Sequence, residues 1–235
     1  MSAAVTTVTT VVLAKAPVPG RVKTRLCPPA TAEQAAGIAA AALLDTLDAA
    51  AGVPGGTVVA ITGVRGEAVH AAELADRLAG AGVVEQRGES LGERIAAAHA
   101  DAAALHPGRP TLQVGMDTPQ ASAELLGRCA ARLSEPGVDA VLGPATDGGW
   151  WVLGLNDPSA AAALTDVPTS RDDTGDRTLA ALRAAGLHVE TVEPLTDVDT
   201  ADEAVVVARE VPGSRFAAAV ADAFAEGWGP EEVPA

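Results

Sequence analysis

A chain of 235 residues that is 48% hydrophobic is long enough to bury a sizeable core. Its balance of 31 acidic to 16 basic residues, a formal net charge of -15, argues against a general nucleic-acid binder, which needs a basic face. Two cysteines, Cys27 and Cys129, stand far apart in no metal-ligand spacing, so neither a structural zinc site nor a stabilising disulfide is expected. The N-terminus has no basic n-region followed by a long apolar stretch, and no apolar run reaches the ~18 residues of a membrane span. The expectation is a cytoplasmic protein.

In chain order, the β-branched run from Val5 to Leu13 predicts a buried strand. The loop Lys15-Ala16-Pro17-Val18-Pro19-Gly20-Arg21-Val22-Lys23-Thr24-Arg25-Leu26 follows, stopped and bent by two prolines and a glycine. Four cations, Lys15, Arg21, Lys23 and Arg25, crowd onto it in an acidic protein, and their mutual repulsion calls for an anionic ligand. The carboxyl end of a first strand is also where open α/β sheets bind nucleotides. The segment is no Walker A motif, because no glycine stands five places before Lys23.

Thr31-Ala32-Glu33-Gln34 reads as a capping box opening a helix to about Ala51. Val58 to Ile61 predicts a second strand, Glu67 to Leu78 a helix, and Val83 to Glu85 a short strand. Ser90-Leu91-Gly92-Glu93 caps a helix to about Leu105, and Thr111 to Val114 is a fourth strand. A helix over Ala123 to Leu133, strands at Asp139 to Leu142 and Trp150 to Leu153, and an alanine-rich helix to Leu164 come next. Asp176 to Ala185 reads as a helix, Leu187 to Val192 as a last strand, and helices end the chain at Thr200 to Arg209 and Arg215 to Ala225. Gly227 to Ala235 reads as a loose tail. The alternation predicts α/β: a doubly wound, mostly parallel sheet with helices on both faces, in a single domain over 1–235.

Three acidic loops follow strands and so share the crevice with the basic loop. In Gly115-Met116-Asp117-Thr118-Pro119, Asp117 could hold Mg2+ or Mn2+ through oxygen, or simply cap the next helix. In Thr146-Asp147-Gly148-Gly149-Trp150-Trp151, Asp147 could orient an acceptor, although Asp-Gly is foremost a hairpin signal. In Leu195-Thr196-Asp197-Val198-Asp199-Thr200, Thr200 already serves as cap, which leaves Asp199 free to be a second metal ligand. The polar loop Thr169 to Asp176 reads first as a solvated surface loop and alternatively as an acceptor-side lid. The four histidines, His70, His99, His106 and His188, share no spacing and receive no role.

Taken in order, Lys15–Leu26, Leu91-Gly92-Glu93-Arg94, Gly115–Pro119, Asp147–Trp151 and Asp197–Thr200 resemble a bacterial family labelled glycosyltransferase-like or 2-phospholactate guanylyltransferase-like, of the GT-A (nucleotide-diphospho-sugar transferase) fold. The resemblance implies nucleotide binding by Lys15, Gly20, Arg21, Lys23 and Arg25, with Gln86, Leu91 and Gly92 near base or ribose. It implies metal ligation by Asp117 and Asp199, with Lys23, Asp117 and Asp147 as the catalytic set. Met116 and Thr118 beside Asp117, and Pro168-Thr169-Ser170-Arg171, depart from the family pattern on the acceptor side.

The expected activity is a metal-dependent nucleotidyltransferase joining an NTP to a small phosphorylated or anionic acceptor and releasing pyrophosphate. The alternatives are a glycosyltransferase using a nucleotide-sugar and a non-catalytic nucleotide-binding protein. Expected partners are a nucleotide, Mg2+ or Mn2+ and a small-molecule acceptor, with neither nucleic acid nor membrane, and with a homodimer left open.

Overall fold

The computed structural model describes residues 7–225. Strands β1 (Thr9–Lys15), β2 (Thr57–Thr62), β3 (Gly82–Glu85), β4 (Thr111–Gly115), β5 (Ala140–Pro144), β6 (Trp150–Leu155) and β7 (Val189–Thr191) form a seven-stranded sheet in the order β3-β2-β1-β4-β6-β5-β7. All pairs are parallel except those of β6, which runs antiparallel between β4 and β5. The predicted fold class is therefore the observed one. Residues before Thr7 and the predicted tail from Gly227 lie outside the described residues.

Helices α1 (Ala32–Ala51), α2 (Ala71–Leu78), α3 (Leu91–Leu105), α4 (Ala123–Leu133), α5 (Thr174–Ala184), α6 (Ala201–Glu210) and α7 (Arg215–Phe224) surround the sheet. The three predicted capping boxes all form: Thr31 with Gln34, Ser90 with Glu93 and Thr200 with Glu203. Each satisfies two of the backbone donors that a helix start leaves unpaired.

Burial on both faces explains the apolar strand sequences. In β1, Val12 and Ala14 pack with Leu43, Leu47 and Leu126 of α1 and α4. Val11, on the opposite face, packs with Val58, Ala60, Ala98 and Ala102 under α3. The alanines of α1 let α7 come close, and Phe216, fully buried, fills the space left beside Ile38.

Several predicted elements differ from expectation: Lys15 ends β1 rather than opening the loop, the strands predicted at Asp139–Leu142 and Trp150–Leu153 run on to Pro144 and Leu155, and the last strand shrinks to Val189–Thr191. The alanine-rich stretch to Leu164 is a 3-10 helix, Pro158–Leu164, entered through Pro158 and capped by Asp157. It lies so close to α3 that a Cβ on Gly92 would fall 2.1 Å from the Leu164 carbonyl oxygen. The helix expected from Glu67 begins only at Ala71, since a 3-10 turn ends at Glu67 and His70 takes a left-handed φ of 56°. The helix expected from Asp176 begins at Thr174.

The fold brings distant loops to one edge. Parallel pairing in register from Thr9 with Thr111 to Leu13 with Gly115 releases the loops after β1 and β4 side by side. The Lys15 N–H donates to the Met116 sulfur at 3.1 Å, tying those loops together. After β7 the chain returns along the same edge: Thr146 N–H bonds the Leu195 carbonyl and Val198 N–H the Asp117 carbonyl, both at 3.0 Å. Val198 is buried, so Asp197 and Asp199 on either side of it both face outward to the edge.

Candidate active site

A cleft of about 820 Å³ opens at the carboxyl edge of the sheet. Lys15, Arg21, Lys23, Arg25, Gln86, Leu91, Gly92, Asp117, Asp147 and Asp199 all line it. Gly20, at a φ of 72°, turns the basic loop and is not among the lining residues. Thus the cations after β1 and the carboxylates from later in the chain share one space.

Lys23 sits at its centre. Its Nζ donates to Asp117 Oδ2 and to Asp199 Oδ1, each at 2.9 Å, and its side chain is only 12% exposed. Burial alone would lower the ammonium pKa, but the charges and hydrogen bonds of Asp117 and Asp199 outweigh it and hold the group at about 12. Arg25 Nη1 donates to Asp199 Oδ2 at 3.0 Å. The Asp199 carboxyl is held below its ordinary range because, against desolvation, Lys23 and Arg25 favour the anion. Lys23 therefore pairs with carboxylates here, whereas Lys15 and Arg21 stand exposed at the rim.

Asp197 completes the acidic side and was not singled out as a ligand from sequence. One carboxylate oxygen each from Asp117, Asp197 and Asp199 lies within 4.8 Å of the others. Burial, then the charges of Asp147, Asp117 and Asp199, push the Asp197 pKa up to about 7. Three hard oxygen donors at this separation suit Mg2+ or Mn2+. The alternation Asp197-Val198-Asp199 around a buried valine was the signal that could have found it.

Asp147 is exposed, and its Oδ1 accepts the Gly149 N–H at 2.7 Å. The Asp-Gly signal is thus a true hairpin turn between β5 and β6, and that turn also delivers a carboxylate to the cleft. Trp151 is buried, donating to the Glu193 carbonyl at 2.9 Å, while Trp150 lines the cleft. Gln86 donates its amide to the carbonyls of Ala14 and Ala60, at 2.7 and 3.0 Å, so its NH2 is taken up in closing the ends of β1 and β2. Gly92 serves the close packing of α3. The polar stretch Thr169–Asp172, with Arg171 in it, lines the cleft, as does Arg94; both arginines were named in sequence motifs but given no role there.

Sheet order, one reversed strand and a cleft of opposed charges define the class. A crystal structure of a candidate nucleotide-diphospho-sugar transferase from Desulfovibrio desulfuricans is 25% identical, with a TM-score of 0.76, over 92% of this chain and 95% of that one. CMP:2-keto-3-deoxy-manno-octonic acid synthetase complexed with CTP superposes with a TM-score of 0.53 at 12% identity, covering 87% and 99%. The 4-diphosphocytidyl-2C-methyl-D-erythritol synthase of Anaerococcus prevotii gives 0.54 at 11%, covering 87% and 98%. The fold is that of the nucleotidyl- and glycosyltransferase-like α/β proteins. The model of a family described as "Uncharacterized protein conserved in bacteria (DUF2064)" matches residues 44–171, and the chain belongs to that family. No curated protein matches it.

Proposed function

We propose that this protein is a metal-dependent nucleotidyltransferase that joins an NTP to a small phosphorylated or anionic acceptor and releases pyrophosphate. One observation carries the reading: Asp117, Asp197 and Asp199 converge on a single point beside four cations, Lys15 at the end of β1 and Arg21, Lys23 and Arg25 on the loop after it. Phosphoryl transfer asks for positioning and charge neutralisation more than for a nucleophilic side chain. An acceptor oxygen attacks the α-phosphorus, the bond to the β-phosphate breaks, and pyrophosphate leaves. A divalent cation held by the three aspartates would neutralise phosphate charge and fix phosphate geometry. Lys15, Arg21 and Arg25 bind the phosphates from the rim. Lys23 neutralises the aspartates, and Asp147, fixed by the Gly149 N–H, orients the acceptor.

The named activities of the two synthetases of like fold support nucleotidyl transfer; that of the Desulfovibrio desulfuricans structure favours the second reading, glycosyl transfer from a nucleotide-sugar. Purified protein, Mg2+, each NTP and a panel of phosphorylated acceptors decide between them. Pyrophosphate release is expected, falling roughly 100-fold or more in Asp117→Asn. No release, together with thermal stabilisation by UDP- or GDP-sugars but not by NTPs, would establish glycosyl transfer instead. Nucleotide binding indifferent to metal and to Asp117→Asn would mark a non-catalytic binder.

A further inference from the structure

Below the charged rim, the cleft has a buried floor on the α3 side of the sheet. Its buried residues are mostly apolar, among them Ile95 and Leu164, yet three polar side chains are buried with them. One, Thr174, has its hydroxyl engaged with the Arg171 N–H and the Pro168 carbonyl. Gln113 of β4 is 2% exposed and Thr178 of α5 is 1% exposed. Neither the Gln113 NH2 nor the Thr178 hydroxyl has a hydrogen-bond partner among the described residues. Neither atom is sealed from solvent, so both open onto the cleft, where they are free to bond a ligand.

The Gln113 amide is held in one orientation. Its Oε1 lies 3.0 Å from His99 Nε2, and His99 Nδ1 lies 2.7 Å from Thr111 Oγ1. The buried Thr111 hydroxyl has no other acceptor among the described residues, so it donates to Nδ1. Nε2 of the neutral imidazole then carries the proton and donates to Gln113 Oε1. The relay ends with the amide NH2 turned to the cleft as a fixed donor. His99 is fully buried and touches no ligand; it is a positioning residue.

We propose that this floor is the acceptor's subsite, with Gln113 the specificity-determining donor to an uncharged carbonyl oxygen on the acceptor's carbon body. A charged group there would face a neutral amide and threonine hydroxyls, whereas Lys15, Arg21 and Arg25, which would meet phosphate or carboxylate, are at the rim. Thr178 adds a hydroxyl that can accept from a neighbouring N–H or O–H. The floor is built by α3, β4, Leu164 and α5, elements other than the Lys15–Arg25 loop that would hold the nucleotide phosphates. The assignment to an acceptor rests on the transferase reading, but the donor and its relay do not.

The test uses 2-pyrrolidinone as probe, a neutral lactam with adjacent C=O and N–H, and full-length protein carrying 15N-labelled glutamine. Millimolar 2-pyrrolidinone should shift the Gln113 side-chain amide resonance. Thr178→Val, which conserves shape, should weaken the effect about tenfold, as should His99→Phe, with His99→Gln restoring it by returning a donor to the Nε2 position. No shift of the Gln113 resonance would overturn the subsite. A shift produced by CTP or GTP with Mg2+ and no acceptor would overturn its assignment to the acceptor, because the floor would then hold the base. None of these readings needs turnover, so a failed pyrophosphate assay leaves them intact. With an active acceptor in hand, Gln113→Leu should raise the acceptor KM about tenfold while the NTP KM stays unchanged. An unchanged acceptor KM would also overturn the proposal.

Discussion

Lys23 combines the main tensions of the site in one residue. Its backbone takes a left-handed φ of 45°, a conformation that costs a non-glycine residue about 1 kcal/mol. That conformation carries the ammonium between Asp117 and Asp199, whose carboxylates would otherwise repel each other and Asp197. Lys23→Met should therefore destabilise the metal-free protein. The aspartates are 33% and 36% exposed, so solvent screening limits the loss to roughly 1–2 kcal/mol. Mg2+ should recover more stability in the variant than in the parent, because it meets three uncompensated carboxylates. Urea titrations with and without Mg2+ measure both effects; equal metal-free stability would show that the two ion pairs contribute nothing. Asp117 and Asp199 were legible in the sequence because each stood beyond a strand without a settled structural duty. Asp197 was overlooked because alternation across a buried Val198 becomes decisive only once that segment is known to be pinned along the edge.

Single elements show where local pattern suffices and where packing overrides it. The capping boxes were readable because they join residues three apart. The 3-10 helix over Pro158–Leu164 was not, since its alanines favour an α-helix and its close packing under Gly92 of α3 is a tertiary contact. The acidic hairpin was half readable: its turn is local, but its use is tertiary. Gly148, at a φ of 88°, leaves so little room that a Cβ would lie 1.9 Å from the Asp172 carbonyl oxygen. Its own carbonyl accepts the Gly175 N–H at 2.7 Å, which locks the hairpin to the start of α5. Gly148→Ala should cost roughly 1–3 kcal/mol and, by prising this junction apart, should weaken acceptor binding before nucleotide binding. Gly20→Ala is the matched control. Its φ of 72° is also left-handed but a Cβ there meets nothing within 4 Å, so only about 1 kcal/mol should be lost. Thermal or chemical melts of the two variants compare strain alone with strain plus collision, and equal losses would disprove the lock.

At the scale of the molecule, alternation of strand and helix announced an α/β sheet, but the insertion of β6 between β4 and β5 could not be read from it. Strand order is decided by pairing across long stretches of chain, and a lone strand carries no mark of its neighbours. The same holds for the relay beneath the cleft, because Thr111, Gln113 and His99 gain meaning only when α3 lies on β4. Their burial makes the stability of the whole fold respond to pH in a way that composition does not foretell. Desolvation lowers the His99 pKa to about 4, outweighing the Gln113 hydrogen bond, which acts to raise it. The unfolded chain binds that proton near pH 6.5 and the folded one does not, so stability is full above 6.5 and declines as pH falls towards 4. A shift of this size corresponds to about 3 kcal/mol. Asp197 acts in the opposite sense, since a folded pKa of about 7 against 3.8 unfolded makes stability fall as pH rises through that window. The wild-type profile between pH 4 and 7 should thus be flatter than either group would give alone. His99→Gln should remove the rising limb, so that stability falls from pH 4 to 7; Asp197→Asn should expose that limb, so that it climbs. Mg2+ should stabilise the parent more at pH 8 than at pH 5.5, because the ion gains a third ionised ligand. Chemical denaturation of the three proteins across this range measures the balance. Identical slopes in all three would show that neither burial shapes the stability of the fold.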